Sequence, residues 1–287
     1  MRWQKGRRSD NVVFDDGSGG GGPRFGGGRG LGLGGIVILA ILGLVFFKDP
    51  TALLNQVDTG GGTAAPATTP ANPNDPQVDF VRAILGDTED EWGQIFAQQG
   101  RQYEQPKLTL FSGRVNTACG AATAAVGPFY CPGDRHVYLD LAFFQELQDR
   151  FHTTGDFARA YVIAHEVGHH VQNLLGVFDK VDAARRQGAT LQGANGLSVR
   201  QELQADCLAG VWAHSAEQRN QWLDPGDLEA ALNAASQIGD DTLQRESRGE
   251  VMPDSFTHGT SAQRVHWFKA GFDSGDMGQC NTFAGPV

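Results

Sequence analysis

The stretch 164-AHEVGHHVQ-172 sets His165 and His169 four residues apart among Ala164, Val167 and Val171, with no proline to interrupt a helix. At 3.6 residues per turn, positions four apart are rotated by about 40°, so both imidazoles project from one face. Two imidazoles side by side on an apolar helix form a two-toothed clamp for a divalent metal such as zinc. Glu166 is the adjacent carboxylate that could take a proton from water, which is the physical content of an HExxH pattern. His170 lies about 100° around the helix from His169 and about 140° from His165. It is therefore read as a packing or hydrogen-bonding residue, or a support for the site, and not as a ligand of the same ion.

A catalytic zinc usually has three protein ligands and one open position, so the chain must supply a third. A metzincin continuation needs glycine at 172 and histidine at 175, where this chain has Gln172 and Leu175. A deformylase solution needs an upstream cysteine, and the nearest one here falls in a probable disulfide loop. The gluzincin solution is a glutamate on a later helix, followed four residues on by an aspartate that steadies a ligand histidine, and 202-ELQAD-206 resembles it. Glu202 and Asp206 share a helix face among Leu203, Ala205, Leu208, Val211 and Trp212. Like charges at this spacing repel, and buried carboxylates need a cation or a donor. Zinc on Glu202 and a ligand imidazole on Asp206 meet that need.

The elements around this pair are expected to form a mostly helical α+β domain over residues 77–287. Apolar spacing predicts two helices between Asp75 and Gly100, broken near 86-GDTED-90, strands at 107-KLTLF-111 and 135-RHVYLDL-141, and a helix over 142–151. The strand 136–141 is a candidate edge for an extended substrate. The histidine helix is expected to start at Asp156 as N-cap. The helix carrying Glu202 is expected to start with a capping box of Ser198 and Gln201, and more helix follows over 227–238.

Before residue 77 the composition changes. Residues 17–35 are dominated by glycine and residues 59–76 by Gly, Thr, Ala, Pro and Asn, so both read as flexible linkers. Between them 31-LGLGGIVILAILGLVFF-47 is uncharged and bracketed by Arg29 and Lys48, which predicts a transmembrane helix over 30–48. A cleaved signal or a buried core helix is the alternative. Basic residues precede the span, so residues 1–29 are expected to form a cytoplasmic tail, 49–76 an external linker, and the domain to lie on the outer or periplasmic side of a bacterial membrane. Residues 1–48 hold seven of the 23 Lys and Arg and three of the 33 Asp and Glu, leaving 16 basic against 30 acidic side chains for the rest. That balance argues against nucleic acid as a partner.

Four cysteines in an exported domain predict two disulfides. The short Gly- and Pro-containing loop 119-CGAATAAVGPFYC-131 favours Cys119 with Cys131, leaving Cys207 and Cys280 to pair.

Taken together, AHEVGHHVQ, 200-RQELQADCLAG-210, 129-FYCPGDRHVYLDLAFF-144, 257-THGTSAQRVHWF-268 and the amino-terminal 3-WQKGRRSDNV-12 resemble the neutral zinc metallopeptidases of bacteria that carry an amino-terminal membrane anchor. The resemblance covers most of the chain and implies a zincin-like peptidase fold with one Zn²⁺ per chain. Peptide or protein would be the substrate, and the sole membrane contact would be the amino-terminal single-pass helix. In the cytoplasmic tail, 11-NVVFDDG-17 is more acidic than the resemblance leads one to expect. The stretch 257-THGTSAQR-264 also resembles a segment of membrane-associated gluzincins in which a histidine faces the reacting oxyanion, so His258 is a candidate catalytic residue beside Glu166. A solvent-exposed loop position or a packing role are the other readings of His258. His136, His152, His214 and His266 have no partner spacing. The expected reaction is peptide-bond hydrolysis; a non-catalytic zinc-containing binding module and a zinc amidase or esterase acting on the cell envelope are the alternatives.

Overall fold

The computed structural model describes residues 1–15, 74–124, 127–151 and 155–287. A short strand β1 (Val12–Phe14) precedes a long helix α1 (Pro76–Gln98), the strands β2 (Lys107–Phe111), β3 (Arg114–Thr117), β4 (Gly120–Thr123), β5 (Phe129–Cys131) and β6 (His136–Asp140), and the helix α2 (Ala142–Phe151). The histidine-bearing helix α3 (Asp156–Leu174) follows, then α4 (Val177–Arg186), α5 (Leu197–Asn220), α6 (Asp227–Gln237), α7 (Asp240–Arg248) and α8 (Ser261–Ser274). The architecture is mostly helical with a small sheet.

The sheet runs β1-β2-β6-β5, with β1, β2 and β6 parallel and β5 antiparallel to β6; β3 and β4 form a separate hairpin. Leu108, Leu110, Val137 and Leu139 are buried in the same core as Ile84 and Trp92 of α1, Phe157 and Tyr161 of α3, Leu208 and Trp212 of α5, and Phe268 of α8. The strand β6 is interior, flanked by β2 and β5, so it is not the free edge expected of 136–141.

The helix α1 runs unbroken through 86-GDTED-90, where the sequence suggests two helices. The residues that look like a break are there for tertiary contacts. Gly86 lets another segment approach, since a Cβ at that position would stand 2.6 Å from the Arg7 carbonyl oxygen. Asp87 accepts from Trp212 Nε1 at 2.8 Å, Arg219 at 3.0 Å and Asn220 at 2.8 Å. Glu89 accepts from Arg7 at 2.6 Å, Ser9 at 2.6 Å and Asn11 at 2.7 Å.

The segment 1–15 is therefore part of the folded body, where the sequence suggests a tail on the far side of a membrane. Val12 pairs in register with Leu108, Arg8 holds Asp79 through two bonds of 2.7 Å, and Trp3 Nε1 donates to Asp156 at 2.7 Å. An expected boundary at 77 thus leaves out a strand and a set of ion pairs that belong to the domain. Residues 30–48 and most of both expected linkers lie outside the described residues. Among the described residues no helix is long and apolar enough to cross a membrane, so the expected transmembrane helix has no counterpart among them.

The helix starts differ from expectation as well. Gly155, at φ 120°, is the N-cap of α3, and Asp156 is its first residue, held by Trp3 and Arg159. Gly196 caps α5 without a side-chain bond, whereas a complete capping box forms at α8 between Thr260 and Gln263. Both cysteine pairs, Cys119–Cys131 and Cys207–Cys280, are disulfide-bonded.

Candidate metal centre

The helices α3 and α5 pack closely, with Gly168 against Ala205, which brings one face of each together. His165, His169 and Glu202 are all buried there, and one ligand atom from each lies within 4.8 Å of the others. Glu202 Oε2 is 3.2 Å from His165 Nε2 and 3.5 Å from His169 Nε2. Two ligands at the usual zinc distances in a tetrahedron lie about 3.3 Å apart. The spacing therefore suits a single small divalent ion.

Each imidazole has its other nitrogen engaged. His165 Nδ1 is 2.9 Å from Asp206 Oδ1, and His169 Nδ1 is 2.9 Å from Gln172 Oε1. An acceptor on Nδ1 places a proton there and makes Nε2 the nitrogen that faces the shared point, where a metal would take the place of any proton it carries. The chemistry of the donor set, two imidazoles and one carboxylate, fits zinc.

Asp206 is fully buried and satisfied from four directions. Tyr161 donates to it at 2.6 Å, His165 at 2.9 Å, and the Arg264 guanidinium grips both its oxygens at 2.8 and 2.9 Å. Burial pushes this carboxyl up, but Arg264 and His165 outweigh it and hold it down at about 2. Glu202 behaves alike: burial opposes its charge, and His169 and His165 hold it well below the ordinary carboxylate range. Glu166 differs. Its burial raises the carboxyl above its ordinary value despite the opposing pull of His165 and His169.

His258 is buried, with relative exposure of 9%, and not the solvent-exposed loop residue that its Gly- and Ser-rich surroundings also suggest. Its Nδ1 lies 2.9 Å from Thr257 Oγ1 and 3.3 Å from Asp240 Oδ1, while Asp240 Oδ2 accepts the backbone N–H groups of Thr257 and His258 at 2.6 Å and of Gly259 at 3.1 Å. Gly259 turns the chain at φ 93° against Val199 and Leu203 of α5. Burial lowers the His258 imidazole, but Asp240 and Glu202 more than offset it and raise it.

His170 donates from Nε2 to the Glu104 carbonyl at 2.6 Å, and its Nδ1 is 3.1 Å from the Tyr130 hydroxyl, so it braces β5 against α3. His136 pairs with Thr109, His214 with the Phe272 carbonyl and Gln218, and His266 stacks edge-on with Trp267; His152 lies outside the described residues. Four residues of the site are not singled out by sequence reasoning: Gln172, Tyr161, Arg264 and Asp240. Tyr161 and Gln172 are one helical turn from His165 and His169 respectively, a signal readable from spacing. Arg264 and Asp240 reach the site only through tertiary contacts.

The sequence matches, over residues 1–283, the family described as "putative neutral zinc metallopeptidase". It is 52% identical over 290 residues to the uncharacterized protein YpfJ of Escherichia coli (strain K12), covering 99% of each chain. It is 48% identical over 192 residues to the uncharacterized protein Rv2575 of Mycobacterium tuberculosis (strain H37Rv), covering 63% of this chain and 64% of the relative. No solved structure matches.

Proposed function

Because the chain belongs to this zinc metallopeptidase family, we propose that it hydrolyses peptide bonds with one zinc held by His165, His169 and Glu202. The observation that carries the reading is the convergence of these three buried ligand atoms within 4.8 Å of one another, each imidazole tethered through its far nitrogen. Zinc held by this set supplies a Lewis acid that polarises a carbonyl and brings the pKa of water toward about 7.

Glu166 then takes the proton of the attacking water. A buried carboxyl raised above its ordinary value is suited to both halves of the cycle, since it must later deliver that proton to the departing amine. His258, held through Nδ1 by Thr257 and Asp240, has Nε2 left to donate to the oxygen that gains charge in the transition state. Asp206, locked by Arg264 and Tyr161, keeps His165 in the tautomer that presents Nε2. The two disulfides support residence in an oxidising compartment.

The test is zinc content and cleavage of a mixed peptide library by the purified full chain, before and after chelation. One zinc per chain, with cleavage abolished by the chelator and restored by zinc, is expected. Cleavage that survives complete removal of the metal would overturn the reading.

A further inference from the structure

We propose that Gln172 is a positioning residue for His169, the last member of a one-way hydrogen-bond chain that starts at the Cys280 carbonyl and ends on the imidazole. The inference rests on the proposal that His169 holds a metal.

Gln172 is fully buried and follows His169 by three residues on α3. Its Nε2 donates to the Gln201 main-chain carbonyl at 2.7 Å and to Gln204 Oε1 at 3.0 Å. A main-chain carbonyl only accepts, so the amide cannot be turned over without setting oxygen against oxygen in a dry site. Gln204 is oriented by the same logic, since its Nε2 donates to the Cys280 carbonyl at 2.9 Å and its Oε1 must then face Gln172. Cys280 is tied to α5 by its disulfide with Cys207. Every dipole in the chain is thus directed by two fixed carbonyls.

The consequence falls on His169. Gln172 Oε1, 2.9 Å from His169 Nδ1, can only accept, so the ring must carry its proton on Nδ1 and offer Nε2 toward Glu202. The two ligand imidazoles are therefore set by different means: His165 by the carboxylate of Asp206, His169 by a neutral amide. Glu166, Glu202, Asp206 and Asp240 already bring four buried carboxyls to the site. An amide fixes the second tautomer without adding a fifth. Because Gln201 immediately precedes Glu202, the same amide also ties the histidine helix to the helix that supplies the third ligand.

The experiment compares the full chain with its Gln172→Met, Gln172→Glu and Gln204→Met variants by chelator competition for zinc and by the ¹⁵N signals of the His169 ring. Gln172→Met keeps length and removes the acceptor; it should weaken zinc binding by roughly 10- to 100-fold and remove the slowly exchanging His169 Nδ1–H signal. Gln172→Glu restores an acceptor for Nδ1 but sets a carboxylate oxygen against the Gln201 carbonyl, so it should keep the ring signal while lowering the melting temperature. Gln204→Met does not touch His169 and, by freeing the Gln172 amide, should weaken binding in the same direction by a smaller factor; it keeps the test alive if Gln172→Met fails to fold. Parental affinity and an intact ring signal in Gln172→Met would overturn the proposal, and so would loss of the ring signal in a folded Gln172→Glu variant, or parental affinity in Gln204→Met. His169→Ala separates the two levels: if it binds zinc like the parent, the metal centre itself is misassigned.

Discussion

Gly168 of α3 lies directly against Ala205 of α5, so close that a Cβ at position 168 would stand 3.0 Å from the Ala205 carbonyl oxygen and 3.2 Å from its Cα. Gly168 precedes His169, and Ala205 precedes Asp206. This close approach brings the two helices together beside the imidazoles and Glu202. Gly168→Val should push the helices apart, lowering stability by about 1–3 kcal/mol through overpacking. Thermal melting together with chelator competition checks this, and an unchanged zinc affinity would show that the helix spacing is set elsewhere.

Glu166 and Glu202 are both buried, yet they should fail differently. Glu166→Gln should retain stoichiometric zinc and a parental melting temperature while losing turnover by roughly 10²-fold or more, as expected for loss of a general base. Glu202→Ala should instead lose zinc. Metal analysis of the two purified variants distinguishes these outcomes, and zinc loss in Glu166→Gln would make that residue a ligand and not a base.

Zinc uptake should release protons. In the metal-free chain burial lowers the His165 imidazole, but Asp206 and Glu202 override it and lift it to about 10. A folded-state pKa above the ordinary imidazole value of 6.5 contributes stability that is complete below about 6.5 and is lost as pH rises toward 10. The metal-free chain should accordingly melt at falling temperature across that window. Zinc displaces the proton, so its apparent affinity should weaken as pH is lowered. Titration calorimetry in two buffers of different ionisation enthalpy measures the released protons, and a heat independent of buffer would contradict the assignment.

His258 and Asp240 are predicted to affect turnover more than binding. His258→Ala should lower kcat by about 10² to 10³ with zinc content and KM nearly unchanged, because a donor to the developing oxyanion gains strength only as charge builds. Asp240→Asn should cause a smaller loss of the same kind, since the neutral amide still reaches the turn but no longer favours a charged imidazole. Steady-state kinetics on a cleaved peptide settles both. An unaltered kcat in His258→Ala would return it to a packing role.

The amino-terminal segment should be needed for stability. Removing residues 1–15 deletes β1 and leaves Glu89, which is buried, without Arg7, Ser9 and Asn11. A buried carboxylate stripped of its partners typically costs about 3–5 kcal/mol. A chain of residues 74–287 should therefore melt well below the full chain, and a synthetic peptide of residues 1–15 should raise its melting temperature. Equal melting temperatures would mean that this segment is only laid on the surface.

The residues of the candidate metal centre were legible from the sequence because their signal is local. A helix repeats every 3.6 residues, so His165 with His169, and Glu202 with Asp206, declare a shared face without reference to anything else. Within such faces the roles of carboxylate and imidazole follow from what buried charges require. The short Cys119–Cys131 loop is local in the same sense. What the sequence could not determine is every partner brought in from a distance. Asp87 is held by Trp212, 125 positions away, and Glu89 by Arg7, 82 positions away, so a stretch that reads as a helix break is a helix whose polar residues are buried. The pairing of β1 with β2, the grip of Arg264 on Asp206, the support of His258 by Asp240 and the direction of the Gln172 amide are all of that kind. Periodicity assigns a residue to a face, but only the packing of one face on another decides which donor meets which acceptor. The sequence by itself determined the helices that carry the candidate ligands; the tertiary structure alone decided how those side chains are held and that the first fifteen residues are part of the body that holds them.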